Sequence, residues 1–280
     1  MTNWGRWGAD DQAGALNLVD ARATLAAAGL VTEGRTISLA QPVGPGAGVP
    51  PHRRSPQRFM DRDAGDYAAG ARSPDGFRFA EDTVQFGTHS GTHLDALAHT
   101  WSGDELYNGH PAASTRSTKG ASRCGAEHLR PVAARGVLVD LGVLPARHAV
   151  GRAELEAAYP GGVPQPGDVV LIRTGWWESR GGRADYFDDE PGPDDEAARW
   201  LAAHDVATVG ADNYAVEVQP SAAGTFPVHL ELMHRHGVPL LENLDLSVLA
   251  TTGRTTFLVV VAPIPLAGST AGPVAPVAIL

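Results

Sequence analysis

His89, His93, Asp95 and His99 fall within one short run, HSGTHLDALAH (89–99). Residues four apart share a face in a helix, and residues two apart share a face in extended chain. A segment that leaves a strand, turns at Gly91 and enters a helix near Asp95 would make His89, His93 and Asp95 converge. Glycine at 91 tolerates the backbone angles of such a turn, and Thr92 and Asp95 are both helix-capping types. Two neutral imidazoles and a carboxylate leave open positions on a divalent ion, the requirement of a catalytic rather than a structural site. The ligand types suit Zn2+ and Mn2+ alike, and water on such an ion has its pKa lowered toward about 7. His99, a turn beyond Asp95, is placed to move protons as a general acid or base. A helix cap with surface imidazoles explains any one of these residues but not all four together. The zinc-protease pattern HExxH does not occur in the chain.

A second cluster lies in PVHLELMHRHGVPLLENLDL (227–246), with His229, His234, His236 and Glu242. Val228–Arg235 reads as an amphipathic helix ended by Gly237, followed by a short strand at Val238–Leu241. Glu242 then closes an apolar run, where a carboxylate is costly unless a metal or an active-site water partners it. His234 and His236 read as solvated helix-end residues, where positive charge is favourable.

The elements that must hold these groups follow from periodicity. Asp20 caps a helix through Ala21–Gly29. Strands are expected at 36–39, Thr83–Phe86, Val137–Leu141, Val169–Arg173, Val206–Gly210 and Thr256–Val261. Several are continuous apolar runs, the sign of strands buried on both faces. Helices are expected between them at Ala153–Tyr159, Asp194–His204 and Val228–His236. Residues 41–76 are rich in Gly, Pro, Arg and Asp with no period, the signature of a functional loop, a lid or a linker, with a plain disordered insert as the alternative. The expectation is one α/β domain over 1–280: a mixed β-sheet core with surrounding helices, an N-terminal Trp-rich arm and helix in 1–30, and an active-site loop at 41–76.

Composition narrows the partners. The 280 residues carry 22 basic and 32 acidic side chains, a net charge of −10, with no basic stripe, which speaks against nucleic acid. Apolar residues make up 43% and charged residues 19%, the balance of a globular chain able to bury a core. The one cysteine, Cys124, excludes an internal disulfide and a thiolate metal cluster. Beside Arg123 and His128 it is a minor candidate nucleophile, against the usual role of a lone cysteine in packing. No run of about 18 apolar residues exists to span a membrane, and the polar start MTNWGRWGADDQ lacks a secretory pattern. A cytoplasmic location is expected.

HSGTHLDALAH resembles the HxGTHxDxxxH signature of the cyclase-like metal-dependent hydrolases, which include bacterial kynurenine formamidase and isatin hydrolase. NWGRWGADDQAGALNLV (3–19) is similar to the Trp-rich N-terminal segment of the longer members. GDVVLIRTGW (167–176) and VGADN (209–213) resemble core strands of the family. The resemblance implies a swivelling β/β/α fold and a divalent metal, Mn2+ or Zn2+, held by His89, His93 and Asp95, with His99 moving protons. It also implies a possible second site at Asp95, His229 and Glu242. Leu97 stands where small formamidases have Pro, and the His229-to-Glu242 spacing is longer than theirs. Both features place the chain nearer the isatin-hydrolase branch, where one Mn2+ is expected.

The implied activity is hydrolysis of a C–N amide, cyclic or N-formyl, or of a related lactone. A metal-dependent cyclase or lyase is the alternative, and a non-catalytic binding protein is a third reading that the intact ligand set disfavours. The expected partner is a small molecule with a carbonyl next to an aromatic or cyclic group, and the expected assembly is a homodimer or larger. Thr174, Trp7, Phe86 and Trp101 are candidate substrate contacts, with Trp4 and Trp176 as further aromatic candidates, although core packing explains any single aromatic. Arg173 beside Thr174 reads as a strand-end ion pair.

Overall fold

Val169, Val170, Leu171 and Ile172 are all inaccessible to solvent, and they divide between two cores. Val170 and Ile172 face one core, Val169 and Leu171 the other, as the two-residue period of a strand requires. The computed structural model that shows this describes residues 2–44 and 49–280. Part of the expected 41–76 loop therefore lies outside the described residues.

The strands used below are β1 (Thr36–Ser38), β2 (Gln57–Arg62), β3 (Glu81–Gln85), β4 (His93–Asp95), β5 (Val132–Asp140), β6 (Val169–Arg173), β7 (Thr208–Ala211), β8 (Leu240–Glu242), β9 (Thr256–Val261), β10 (Ala271–Pro273) and β11 (Val277–Ile279). Nine of them form one curled mixed sheet in the order β1-β11-β9-β5-β6-β7-β8-β4-β10. Its centre, β5-β6-β7-β8, is parallel. The flanks pair antiparallel.

Among the helices, α1 is Ala21–Ala28, α2 Ala64–Ala68, α3 Arg152–Ala158, α4 Trp176–Arg180 and α5 Asp195–Ala203. α6 starts at Pro227–His229 and continues as a π-helix over Leu230–Arg235. The helices α3, α5 and α6 connect the parallel strands, and Leu155, Trp200, Leu201 and Leu232 from them close one face of the sheet. The other face buries Leu138, Leu241, Phe257 and Val259. In such a sheet, ligands gather outside the carboxyl ends of the parallel strands. Glu242 is the last residue of β8, and Asp212 directly follows β7.

Several expectations are corrected or refined. The 41–76 stretch is not without elements: β2 and the Asp63-capped α2 lie within it. β3, expected at Thr83–Phe86, pairs with β2, and every residue of both strands is exposed, so no apolar alternation announced the pairing. No helix begins at Asp95. Residues 93–95 form a strand held between β8 and β10, so His93 and Asp95 share a face through the two-residue period. The N-terminal arm packs on its own chain: Asn3 N donates to Arg235 O at 3.1 Å and Trp4 Nε1 to His234 O at 2.9 Å. His234 is buried beneath Trp4 rather than solvated.

Candidate metal centre

The register of β4 against β8 sets His93 directly opposite Glu242. His93 Nε2 lies 3.2 Å from Glu242 Oε2 and 3.4 Å from Asp95 Oδ1. The other ring nitrogen, Nδ1, sits 2.8 Å from Gly91 O, an N–H donation that leaves Nε2 to face the carboxylates. Gly91 makes the approach possible: it has φ 65°, and a Cβ there would come within 2.1 Å of Val43. His89, before the turn, places Nδ1 2.9 Å from Asp95 Oδ1 and 3.2 Å from His93 Nε2. Its Nε2 is 3.0 Å from Thr270 Oγ1. His99, after the strand, brings its ring to 4.1 Å from that of His89.

His229 arrives from the first turn of α6, with Nε2 3.2 Å from Glu242 Oε1 and 3.8 Å from Asp95 Oδ2. Its orientation is fixed by Glu217, a fully buried residue that no motif marks. The Glu217 carboxylate accepts from the backbone N–H of Val228 (3.1 Å) and of His229 (3.0 Å), and from His229 Nδ1. One side chain thus caps the helix and orients the imidazole. Glu217 is aimed inward by Val216, whose φ of 61° is an unusual conformation for a β-branched residue. YAVEVQP (214–220) reads as a strand by alternation, so only a left-handed backbone that the sequence does not signal reveals the role of Glu217.

All six residues named for the centre converge. Five of them form two ligand groups that share Asp95: His89, Asp95 and His99, and His93, Asp95 and Glu242; His229 stands beside the second through Glu242. His99 therefore stands within ligating distance as well as proton-transfer distance. The Asp95 carboxylate is 0% exposed, and no hydrogen bond of acceptable geometry reaches either of its oxygens. Burial opposes its charge, but the surrounding histidines hold it well below the usual carboxylate range. Burial also opposes charge on Glu242, yet hydrogen bonds from His229 and His93 keep it down at about 2. Burial would lower His93 and His229. The close carboxylates, Asp95 and Glu242 for His93 and Glu217 and Glu242 for His229, overcome it, carrying each to about 10. For His99 burial wins and takes it down to about 4. Two buried carboxylates that call this strongly for positive charge are a donor set suited to a divalent cation.

Two cavities flank the centre. One of about 400 Å³ is lined by His99, His229 and Glu242 together with Trp101, Tyr214, Phe226 and Arg53. The other, about 390 Å³, runs from His89 toward Val43, Trp177 and Phe187. Of the expected substrate contacts, Trp101 lines the first cavity, and Phe86 lines a third opening beside His89. Thr174 lines neither flanking cavity: it is fully buried, and its hydroxyl is spent on Asp212 Oδ1 at 2.7 Å. Trp7 sits in a separate crevice with Ala202 and Asp205. Trp176 is buried, donating to Tyr186 O. Arg173 is tied to Asp140 and Glu178. Burial pushes the Cys124 thiol up to about 12, which removes it as a nucleophile.

A buried His-Asp-Glu cluster thus lies at the strand ends of a curled mixed sheet, with its donor atoms close enough to hold a metal ion. The chain belongs to the Cyclase family, described as "Putative cyclase", whose model matches residues 37–218. It is similar over the whole of both chains to a crystal structure described as a novel cyclase, with 34% identity and a TM-score of 0.91. Isatin hydrolase A from Labrenzia aggregata, bound to benzyl benzoate, shares the fold at 21% identity and a TM-score of 0.64, with 90% of this chain and 94% of that one covered. A predicted metal-dependent hydrolase from Bacillus stearothermophilus shares it at 20% identity and a TM-score of 0.57, covering 87% and 97%. No curated protein matches the chain by sequence. Among the described residues, no helix is long and apolar enough to cross a membrane.

Proposed function

We propose that the chain is a metal-dependent hydrolase that opens a C–N amide, cyclic or N-formyl, or a related lactone. The observation that carries this reading is the Asp95 carboxylate, buried without a hydrogen bond and ringed by His89, His93 and His229 beside an aromatic-walled cavity. His89, His93 and Asp95 would hold one divalent ion, Mn2+ or Zn2+, and Asp95, His229 and Glu242 a second where two are bound. Bound there, the metal supplies a Lewis acid for the carbonyl and makes water acidic.

His99, neutral at the cavity floor, takes the proton from water and returns it to the leaving nitrogen or oxygen. Trp101, Tyr214 and Phe226 wall a space that suits a flat ring beside the scissile carbonyl. Glu217 keeps His229 in register, and Gly91 does the same for His93. A homodimer or larger assembly belongs to the proposal. Phe59, Phe79 and Val84 leave apolar surface open on and beside the β2-β3 hairpin, and a monomer in light scattering would remove that part.

The test is product mass after incubating the metal-loaded protein with an N-formyl anilide, a cyclic aryl amide and an aryl lactone. Hydrolysis adds one water. Ring closure or dehydration does not, and such a product would replace the hydrolase with a cyclase or lyase. His99→Ala should keep its metal and lose roughly 10²–10⁴-fold in kcat. A metal-loaded, fully active variant would sink the role given to His99.

A further inference from the structure

Five arginines among the described residues are at least partly withdrawn from solvent: Arg53, Arg135, Arg173, Arg180 and Arg254. Four of them sit against carboxylates: Arg135 on Asp168, Arg173 on Asp140 and Glu178, Arg180 on Asp185, and Arg254 on Glu33. Arg53 has no acidic partner among the described residues. One guanidinium nitrogen donates to His89 O, and the plane stands over the Tyr214 ring, 5.3 Å from its centroid. Among the described residues the rest of the fork meets no acceptor. It opens into the cavity floored by His99, His229 and Glu242, and Arg53 also lines the neighbouring cavity that begins at His89.

A guanidinium held this way is half a binding site. Its backbone contact and its aromatic platform fix the plane, and a planar fork with open N–H groups matches a carboxylate bidentately. Tyr214 is part of the same surface. Its ring carries the guanidinium on one side and meets Phe187 edge-on at 5.5 Å, so the platform does not rotate freely. Trp101 and Phe226 wall the same cavity around the space between Arg53 and the metal centre.

We propose that Arg53 is the specificity residue of this site, and that it anchors a carboxylate carried by a flat aromatic substrate whose scissile group lies over the His-Asp-Glu centre. The proposal rests on that centre being where the reaction occurs, and it goes further by naming the substrate class as an aromatic acid rather than a neutral ring. The carboxylate replaces the missing acidic partner, and the ring packs between Tyr214, Phe226 and Trp101. Arg53 acts on binding, not on the bond that breaks.

The experiment is calorimetric binding of benzoate and of benzamide, its neutral counterpart, to metal-loaded wild type, Arg53→Met and Arg53→Lys. Wild type should bind benzoate at least about tenfold more tightly than benzamide. Arg53→Met should abolish that preference while changing benzamide affinity less than about twofold, and Arg53→Lys should keep part of it, because an ammonium retains the charge without the fork. A benzoate preference that survives in Arg53→Met means that the carboxylate goes to the metal centre, and it overturns the proposal. So does the absence of any preference in wild type, or an equal loss for both ligands. Binding needs no turnover, so a protein that binds benzoate through Arg53 but hydrolyses nothing separates failure of the hydrolase reading from failure of this one.

Discussion

Asp95 and Asp168 are both shut off from solvent, at opposite ends of the same parallel strands, and they are furnished in opposite ways. Asp168 precedes β6 at its amino end. It accepts from Arg135 Nε (2.8 Å) and Nη2 (2.6 Å), from the Tyr159 hydroxyl (2.9 Å) and from Gln165 N (2.8 Å). Every direction around that carboxylate is filled, and the group ties β5 to β6 and to the end of α3. Asp95, at the carboxyl ends, meets ring nitrogens at 2.9 to 3.8 Å and no proper hydrogen bond. Asp212 lies between the extremes: Oδ1 accepts from Thr174 N and Oγ1, while Oδ2 has no partner. A filled carboxylate holds the fold. An unfilled one, among imidazoles that leave nitrogens facing it, is arranged for a cation that the chain itself does not supply.

That contrast can be broken in order of expected effect. Asp95→Asn should lose bound metal and about three orders of magnitude in turnover. Elemental analysis of the folded variant and its turnover check the two losses. Asp168→Ala should act on the fold and not on the metal. It should lower unfolding free energy by about 3–5 kcal/mol, since Arg135 and Tyr159 lose their partner, while metal content per folded molecule is unchanged. If Asp168→Ala also emptied the metal site, the division of labour would fall.

Asp212 supplies a pH test. Burial raises its carboxyl to about 6 in the folded protein, above its ordinary 3.8. The folded state therefore holds the proton more tightly. This contribution is fully present below about pH 4 and is lost as pH rises through about 6, amounting to at most about 3 kcal/mol. Denaturant titrations of wild type and Asp212→Asn should agree below about pH 4 and diverge as pH rises through about 6, the variant giving the flatter profile. The smallest effect is expected at one remove from the centre. Glu217→Gln should weaken metal affinity by about 10–100-fold without unfolding the protein, because His229 loses its orienting carboxylate. Unchanged affinity would reduce Glu217 to a helix cap.

The sequence was most readable where one physical requirement dominated. β6 and β9 match their expected bounds residue for residue, because chains buried in a sheet must be continuously apolar or alternate. The convergence of His89, His93, Asp95, His99, His229 and Glu242 was likewise legible as two clusters of metal-capable side chains. The reason for the first convergence was not: a three-residue strand delivers His93 and Asp95, where a helix had been expected. Glu217 was hidden by an alternating pattern that the left-handed Val216 breaks. Arg53 was hidden among neighbours Arg54, Arg58 and Arg62, which are exposed; only packing distinguishes it. Of the exposed β2-β3 pair the sequence showed β3, expected at Thr83–Phe86, but not β2, because neither face of the pair is buried.

Elemental analysis of wild type and Asp95→Asn, purified without added metal or chelator, tests the central claim most directly. One or two equivalents of Mn or Zn in wild type and none in the variant is the expected result. A wild-type protein that stays empty after incubation with Mn2+ and Zn2+ would contradict it, and Asp95 would then be a buried carboxylate balanced by protonated histidines alone.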